Sequence, residues 1–360
     1  MTINSIAVLG LGKVGALAGL LLQEAGFTVT GFDNRELHQQ HPYAIRRCDV
    51  ASAEDLQGNL QGFDAVLSCL PYHLNVGVAT VAHALGMHYF DLTEDVGTTR
   101  GIRELSQTSQ GVMAPQCGLA PGFIGIVGAH LANQFESIRA IKLRVGALPQ
   151  NPTGLLGYAF NWSPAGVVNE YLNDCEVIEN SQHKWVSPME WIETLYIQGV
   201  KLEAFTTSGG LGTLCETFAD RVQNLDYKTM RYPGHVELMN FFFHELLLRE
   251  DREQAGKILT HAKPPVDEDV VYLHASAEGE IEGRELRREY VRAYYPREIG
   301  GVRRTAIAWT TSASVSAIIE MVSKGQLPAR GFLKQEDTPL HAFLETRSGG
   351  LYEQKTRHRS

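Results

Sequence analysis

Several stretches of this sequence combine residue types and spacings that could do chemistry. The first is IAVLGLGKVGALAGLLLQEAGFTVTGFDNR, residues 6–35. An apolar run of strand length meets Gly10, Gly12 and Gly15 at GxGxxG spacing, an apolar helical stretch follows to Ala25, and a second strand ends on Asp33. The three glycines suit a tight turn, a close backbone approach to a pyrophosphate, and close helix–strand packing. A helix N-terminus favours the charge of phosphates. Glycines also punctuate ordinary strand-to-helix turns, but here strand, glycines, helix, strand and acid arrive in order. Gly10, Gly12, Lys13, Val14 and Gly15 are therefore expected to cradle a dinucleotide. Asp33 would accept hydrogen bonds from the adenosine ribose and repel a 2′-phosphate, which selects NAD. Arg35 keeps NADP open, since a guanidinium suits a 2′-phosphate, or else it is a solvated turn residue.

The second group is Asp91-Leu92-Thr93-Glu94-Asp95, at the end of an expected strand. In an open α/β sheet, ligands lie beyond the carboxyl ends of the strands. Asp91 and Glu94 are therefore candidates for a proton acceptor, the alternative being that these acids cap the next turn or are solvated. The third is Lys228-Thr229-Met230-Arg231-Tyr232-Pro233-Gly234-His235. Arg231 offers a planar fork for a carboxylate, Lys228 a point charge, and His235 a group that ordinarily titrates near neutrality. Two surface bases and a capping histidine would be the structural alternative. Single candidates lie outside these groups. Glu216 stands at a helix start after a glycine-rich run, as a base or a complement to the helix dipole. Cys117, before Gly118-Leu119-Ala120-Pro121-Gly122, is read as a pocket wall rather than a nucleophile. Trp162 is read as a floor for an aliphatic chain or as core.

Such residues need a scaffold, and the apolar pattern supplies one. Strands alternate with helices to about residue 118: 44–50, then 64–70 ending at Pro71, a helix over 76–85, strand 87–92, helix 102–110 and strand 112–116. Cys69, Leu70 and Pro71, at a strand's carboxyl end, are expected to flank the cofactor. Beyond 118 the pattern changes. Residues 138–147 alternate at period two, 174–179 and 193–206 read as further strands, a helix runs from Gly234 through Leu248, and 269–295 reads as two long strands around a turn. The fold class implied is α/β, a Rossmann-type doubly wound parallel sheet with an inserted α+β domain on a mainly antiparallel sheet. The apolar helix 305–323, rich in small residues, is expected to return and complete the first domain. The boundaries are 1–118 with 302–345, then 119–301, with 346–360 a polar tail that is disordered after Gly349.

Composition limits the function. The chain has 360 residues, 44% of them hydrophobic, which suits two cores. No uninterrupted apolar run reaches a membrane span, and no signal segment precedes the first strand, so a cytoplasmic protein is expected. A formal charge of −9 without a long basic run argues against nucleic acid or an anionic membrane as partner. The 5 cysteines are scattered singly, which indicates neither a disulfide framework nor a metal site.

The segments GLGKVG, CGLAPGF, VGALPQNP, NWSP, LEAFTTSGGLGTLCET, TMRYPGH and WTTSASVSAIIEMV, in this order, resemble the saccharopine dehydrogenase superfamily, and within it the lysine 6-dehydrogenases most. The resemblance implies a Rossmann domain completed by C-terminal residues and an inserted domain that dimerises, hence a homodimer or higher homo-oligomer. It also implies NAD(P)-dependent oxidation of the L-lysine ε-amine to the semialdehyde with release of ammonia. Hydride leaves the ε-carbon only from the neutral amine, whose reference pKa is about 10.4, so a base or a desolvating pocket is required. Glu94, Asp91, Glu216 and His235 stand as candidates for it, and Arg231 with Lys228 would hold the α-carboxylate. Saccharopine reductases often carry GLDPG where this chain has Gly118-Leu119-Ala120-Pro121-Gly122. A saccharopine- or carboxynorspermidine-type enzyme is the alternative within catalysis, and a dinucleotide-binding sensor without turnover the alternative outside it.

Overall fold

The structure is a computed structural model that describes residues 3–36 and 41–353. It divides into two compact units, residues 1–123 with 308–360 and residues 124–307.

The first unit begins as the glycine spacing predicts. Strand β1 (Ser5–Leu9) leads through the glycine turn into α1 (Lys13–Glu24) and β2 (Thr28–Asp33), which pairs with β1 in parallel. Then follow β3 (Ala44–Arg47), α2 (Ala53–Leu60), β4 (Ala65–Ser68), α3 (Tyr72–Ala84), β5 (His88–Asp91), α4 (Val96–Ser106) and β6 (Val112–Ala114). Strands β1, β4 and β5 carry buried side chains almost throughout, as expected of a parallel sheet with both faces covered.

The second unit takes up α5 (Phe123–Ala132) from Ile124 onward and builds on the long strand β7 (Ser137–Pro149). It continues with α6 (Pro164–Leu172), β8 (Cys175–Glu179), β9 (Gln182–Val186), β10 (Glu193–Ile197), β11 (Val200–Thr206), α7 (Leu214–Phe218) and β12 (Val222–Arg231). Next come α8 (His235–Asn240), α9 (Arg252–Ala262), β13 (Asp269–Ile281), β14 (Arg284–Tyr294), β15 (Arg297–Ile299) and β16 (Val302–Arg304). Its main path of strands is β10-β11-β12-β7-β13-β14, antiparallel except for the parallel β12–β7 pair. Residues 193–206 are two strands, because Gln198 and Gly199 both take positive φ and turn the chain. After Asn240 the helix loosens to a π-turn at Phe241–Glu245 and does not reach Leu248 as α-helix.

The chain then returns to the first unit. Helix α10 (Ala306–Ser323), though interrupted by hydroxyl residues and Glu320, is long and apolar enough on average to cross a membrane, but 83% of that span is buried inside the fold. Ser312 Oγ donates to the Val14 carbonyl at 2.9 Å, which seats α10 on the glycine-turn helix. Strand β17 (Gly331–Phe332) adds in parallel to β6, closing a seven-stranded sheet in the order β17-β6-β5-β4-β1-β2-β3. The tail expected from 346 is folded as far as Glu353. Gly349–Tyr352 forms a 3₁₀ turn, and the Tyr352 ring stacks on Phe123 at 3.8 Å while its hydroxyl donates to the Thr310 carbonyl. Residues 354–360, the remainder of that tail, lie outside the described residues.

Candidate functional site

The three glycines divide the work. Gly10 has φ +84°, and a Cβ on Gly15 would lie 2.0 Å from the Gly10 carbonyl oxygen, so these two residues shape the turn itself. A Cβ on Gly12 would meet nothing within 4 Å. The backbone at the start of α1 is therefore open on that side, which is the approach a pyrophosphate needs. Lys13 is exposed and Val14 partly buried beside Gly12. Cys69 hangs from β1 through its amide, which bonds the Leu9 carbonyl at 2.8 Å, and Pro71 caps α3. Burial pushes the Cys69 thiol up to about 12, so it is neutral.

Asp33 closes β2 and is saturated. It accepts from the Leu11 amide at 2.9 Å and from the Arg35 amide, Nε and Nη2 at 3.0, 2.9 and 2.9 Å. The Arg35 bond is the main reason its carboxyl is held at about 2. The acid is thus an anion at any working pH, with an exposed guanidinium folded over it.

The acids after β5 differ in what they hold. Asp91 is wholly buried and accepts from the Tyr89 hydroxyl at 2.7 Å and the amides of Thr93 and Gln116 at 2.9 and 3.0 Å. Burial raises its pKa to about 6, and these three donors oppose the rise. Its oxygens fasten the two strand ends β5 and β6, so it is a clamp rather than an available base. Asp95 caps α4 through the Thr98 amide at 2.7 Å. Glu94 does neither. Among the described residues its carboxylate has no donor from another residue, it is partly buried, and desolvation pushes its pKa up to about 7. Cys117 is buried, its thiol raised far above the usual range by burial, with Gln335 Nε2 donating to its sulfur at 3.2 Å. It is neutral packing.

The second unit separates Arg231 from Lys228. Three residues apart on β12, they fall on opposite faces. Lys228 Nζ donates to the Trp191 carbonyl and to Glu193 at 3.1 Å, beside Arg144, which is itself paired with Glu193 and Asp226. The sequence expectation that Lys228 joins Arg231 is therefore wrong. Arg231, 2% exposed, donates from Nε to Tyr171 Oη at 2.8 Å and from Nη1 to the Met230 carbonyl at 2.8 Å and Thr229 Oγ1 at 3.3 Å. Its guanidinium lies 4.6 Å from the Tyr158 ring centroid. The buried Glu170 favours its charge without forming a salt bridge to it. Among the described residues no carboxylate pairs with Arg231, and Nη2 has no hydrogen bond.

His235, expected as a base, is instead locked. Nδ1 faces the Leu156 carbonyl at 3.0 Å, so it carries the proton, and Nε2 accepts from Tyr171 Oη at 3.0 Å. Burial, then the Arg231 charge, lowers its pKa to about 3, and no lone pair remains for a substrate proton. Trp162 Nε1 donates to Tyr158 Oη at 3.2 Å, which joins the indole to the aromatic surround of Arg231. Glu216 is exposed in the first turn of α7, where its charge complements the helix dipole. Tyr158 and Tyr171, missed in the sequence, have no local signal: they lie 73 and 60 residues from Arg231 and meet it only through the fold. Among the described residues no cluster of three or more metal-ligating side chains occurs.

Residues 6–114 match the model of the saccharopine dehydrogenase NADP binding domain, and 118–347 that of the saccharopine dehydrogenase C-terminal domain. Among solved structures, apo saccharopine dehydrogenase (L-Glu forming) from Saccharomyces cerevisiae has a TM-score of 0.72 at 16% identity, over 92% of this chain and 94% of that one. DAP dehydrogenase from C. glutamicum, in complex with DAP, has a TM-score of 0.51 at 12% identity, over 95% of this chain and 96% of its own. An engineered D-amino acid dehydrogenase bound to NADP+ reaches 0.50 at 12% identity, with the same two coverages of 95% and 96%. At such identities the likeness is one of fold. The two matched models, in order and together spanning most of the sequence, show that this chain belongs to the saccharopine dehydrogenase family and is an NAD(P)-binding oxidoreductase related to the amino-acid dehydrogenases.

Proposed function

We propose that the protein oxidises the ε-amine of L-lysine with NAD to an imine, which water hydrolyses to the semialdehyde and ammonia. The reading rests on one observation above the rest. Of the three buried cations Arg144, Lys228 and Arg231, described in the second unit, only Arg231 lacks a carboxylate partner. A buried guanidinium with one free nitrogen is a seat for one substrate carboxylate. Lysine carries one carboxylate, whereas saccharopine carries three and would call for further unpaired cations.

The bound dinucleotide would supply a hydride acceptor, with the pyrophosphate at Gly12 and the ribose toward Asp33. Glu94, with a pKa of about 7, can take the proton that the ε-ammonium must lose. Arg231 would fix the α-carboxylate. The Asp33 charge supports NAD over NADP by repelling a 2′-phosphate, while Leu11 and Arg35 occupy the acceptor sites a ribose would use, and Arg35 is the group that could admit NADP.

Absorbance of the reduced nicotinamide, measured with lysine, ornithine, saccharopine and a carboxylated polyamine against NAD and NADP, tests the proposal. Turnover of lysine with NAD and stoichiometric ammonia is the expected result. Turnover of saccharopine or the polyamine alone would replace this reading with a secondary-amine dehydrogenase. Cofactor binding without any turnover would favour the sensor.

A further inference from the structure

The series Leu156 carbonyl, His235, Tyr171, Arg231 runs through an otherwise apolar cluster that includes Tyr158, Phe205 and Phe243. Buried polar groups in such a setting carry a cost unless each is satisfied. Here each link has one permitted direction. Arginine can only donate, so Tyr171 Oη accepts from its Nε. The Tyr171 proton must then point to His235 Nε2, which is therefore unprotonated, and the imidazole proton sits on Nδ1 against the Leu156 carbonyl. The Tyr158 ring supports the guanidinium face, and Met230 and Thr229 take the Nη1 protons. Every arginine N–H is thereby committed except those of Nη2.

We propose that Tyr171 and His235 are positioning residues that aim Arg231 Nη2 at the substrate carboxylate, so that this unit reads a carboxylate through a single nitrogen of fixed direction. The inference rests on the reading of Arg231 as the carboxylate seat. A tyrosine present only for packing would be replaceable by phenylalanine, since the ring stays and only the hydroxyl is lost. A positioning tyrosine would not.

The test uses Tyr171→Phe, His235→Leu and His235→Gln, the last keeping an acceptor within reach of the Tyr171 hydroxyl. Binding of L-norleucine, which has the α-carboxylate but no ε-amine, is measured by calorimetry, alongside KM and kcat for lysine and for its decarboxylated analogue 1,5-diaminopentane. Loss of a hydrogen bond to a charged group predicts that Tyr171→Phe and His235→Leu weaken norleucine about tenfold and raise the lysine KM equally, with kcat changed less than about twofold. His235→Gln should restore most of that affinity, and constants for the diamine should not move. Norleucine weakened as expected in an enzyme that leaves lysine untouched would sustain the relay and reject the lysine reading. Lysine turnover with an unchanged KM in Tyr171→Phe, or no norleucine binding to the wild-type protein, would overturn the relay. Should Tyr171→Phe fail to fold, the His235→Leu and His235→Gln pair makes the same comparison.

Discussion

Replacing Glu94 with glutamine should cost activity and gain stability, both from one cause. Burial raises the Glu94 carboxyl from 4.5 to about 7, which corresponds to about 3 kcal/mol spent in keeping it ionised in the folded state. The sign follows from proton counts. Between pH 4.5 and 7 the folded protein holds more protons at this site than the unfolded chain, so the wild type loses stability as pH rises through that window. Glutamine has the same shape and no charge. The variant should therefore match the wild type near about pH 4.5 and exceed it by up to about 3 kcal/mol above about pH 7.5, read as a difference in urea midpoints across pH. Over the same range kcat/KM for lysine should fall by about 10²–10³, and the acid limb with its midpoint at about 7 should vanish from the pH profile. Activity within threefold of wild type with the limb intact would remove Glu94 as the base. A stability difference that stays flat with pH would show that its carboxyl is not desolvated at all.

Four further outcomes follow from the geometry. Gly12→Ala should leave thermal stability within about 1 kcal/mol, because its methyl group meets no protein atom, yet weaken dinucleotide binding by about tenfold or more in a fluorescence titration. Gly15→Ala should do the reverse, its Cβ pressing on the Gly10 carbonyl, with a loss of about 3 kcal/mol or failure to fold. At the end of β2, Asp33→Ala should shift the ratio of NADP to NAD efficiency upward by at least about tenfold, since Arg35 loses its anchor and a 2′-phosphate loses its repulsion, whereas Arg35→Ala should reduce use of NADP alone. Lys228→Met should destabilise the protein by about 2–4 kcal/mol in denaturant, leaving Glu193 and Asp226 short of a cation, while the lysine KM stays within about twofold.

How far the sequence could be read depended on the range of the interactions. The glycine turn, β1, α1 and β2 were legible because each signal lies within a few residues of what it shapes. Strand β17 was not: two residues, Gly331 and Phe332, carry no period, and they become a strand only because β6 offers an open edge. The hairpin at 193–206 was missed although Gln198-Gly199 marks the turn, since the apolar pattern continues across it. The folded segment 346–353 is polar in composition and is held by partners remote in the chain: the Arg347 and Ser348 amides donate to Glu320, Arg347 pairs with Glu24, and Tyr352 meets Phe123 and Thr310.

The same distinction governs the candidate site. Strand parity alone separates Arg231 from Lys228, because period two over β12 suffices to put them on opposite faces. The acids at 91–95 are likewise open to sorting by capping logic: Asp95 stands three residues before the Thr98 amide it caps, and Asp91 two before the Thr93 amide it accepts, which leaves Glu94. No such rule sorts His235. A histidine beside an arginine invites a role as base, and what denies it that role is Leu156, Tyr171 and Arg231, drawn from three separate parts of the chain. The residue that titrates near neutrality in water is therefore fixed as neutral here, and the one that should be ionised, Glu94, is brought to the edge of neutrality. Both reversals come from burial, which no local pattern records.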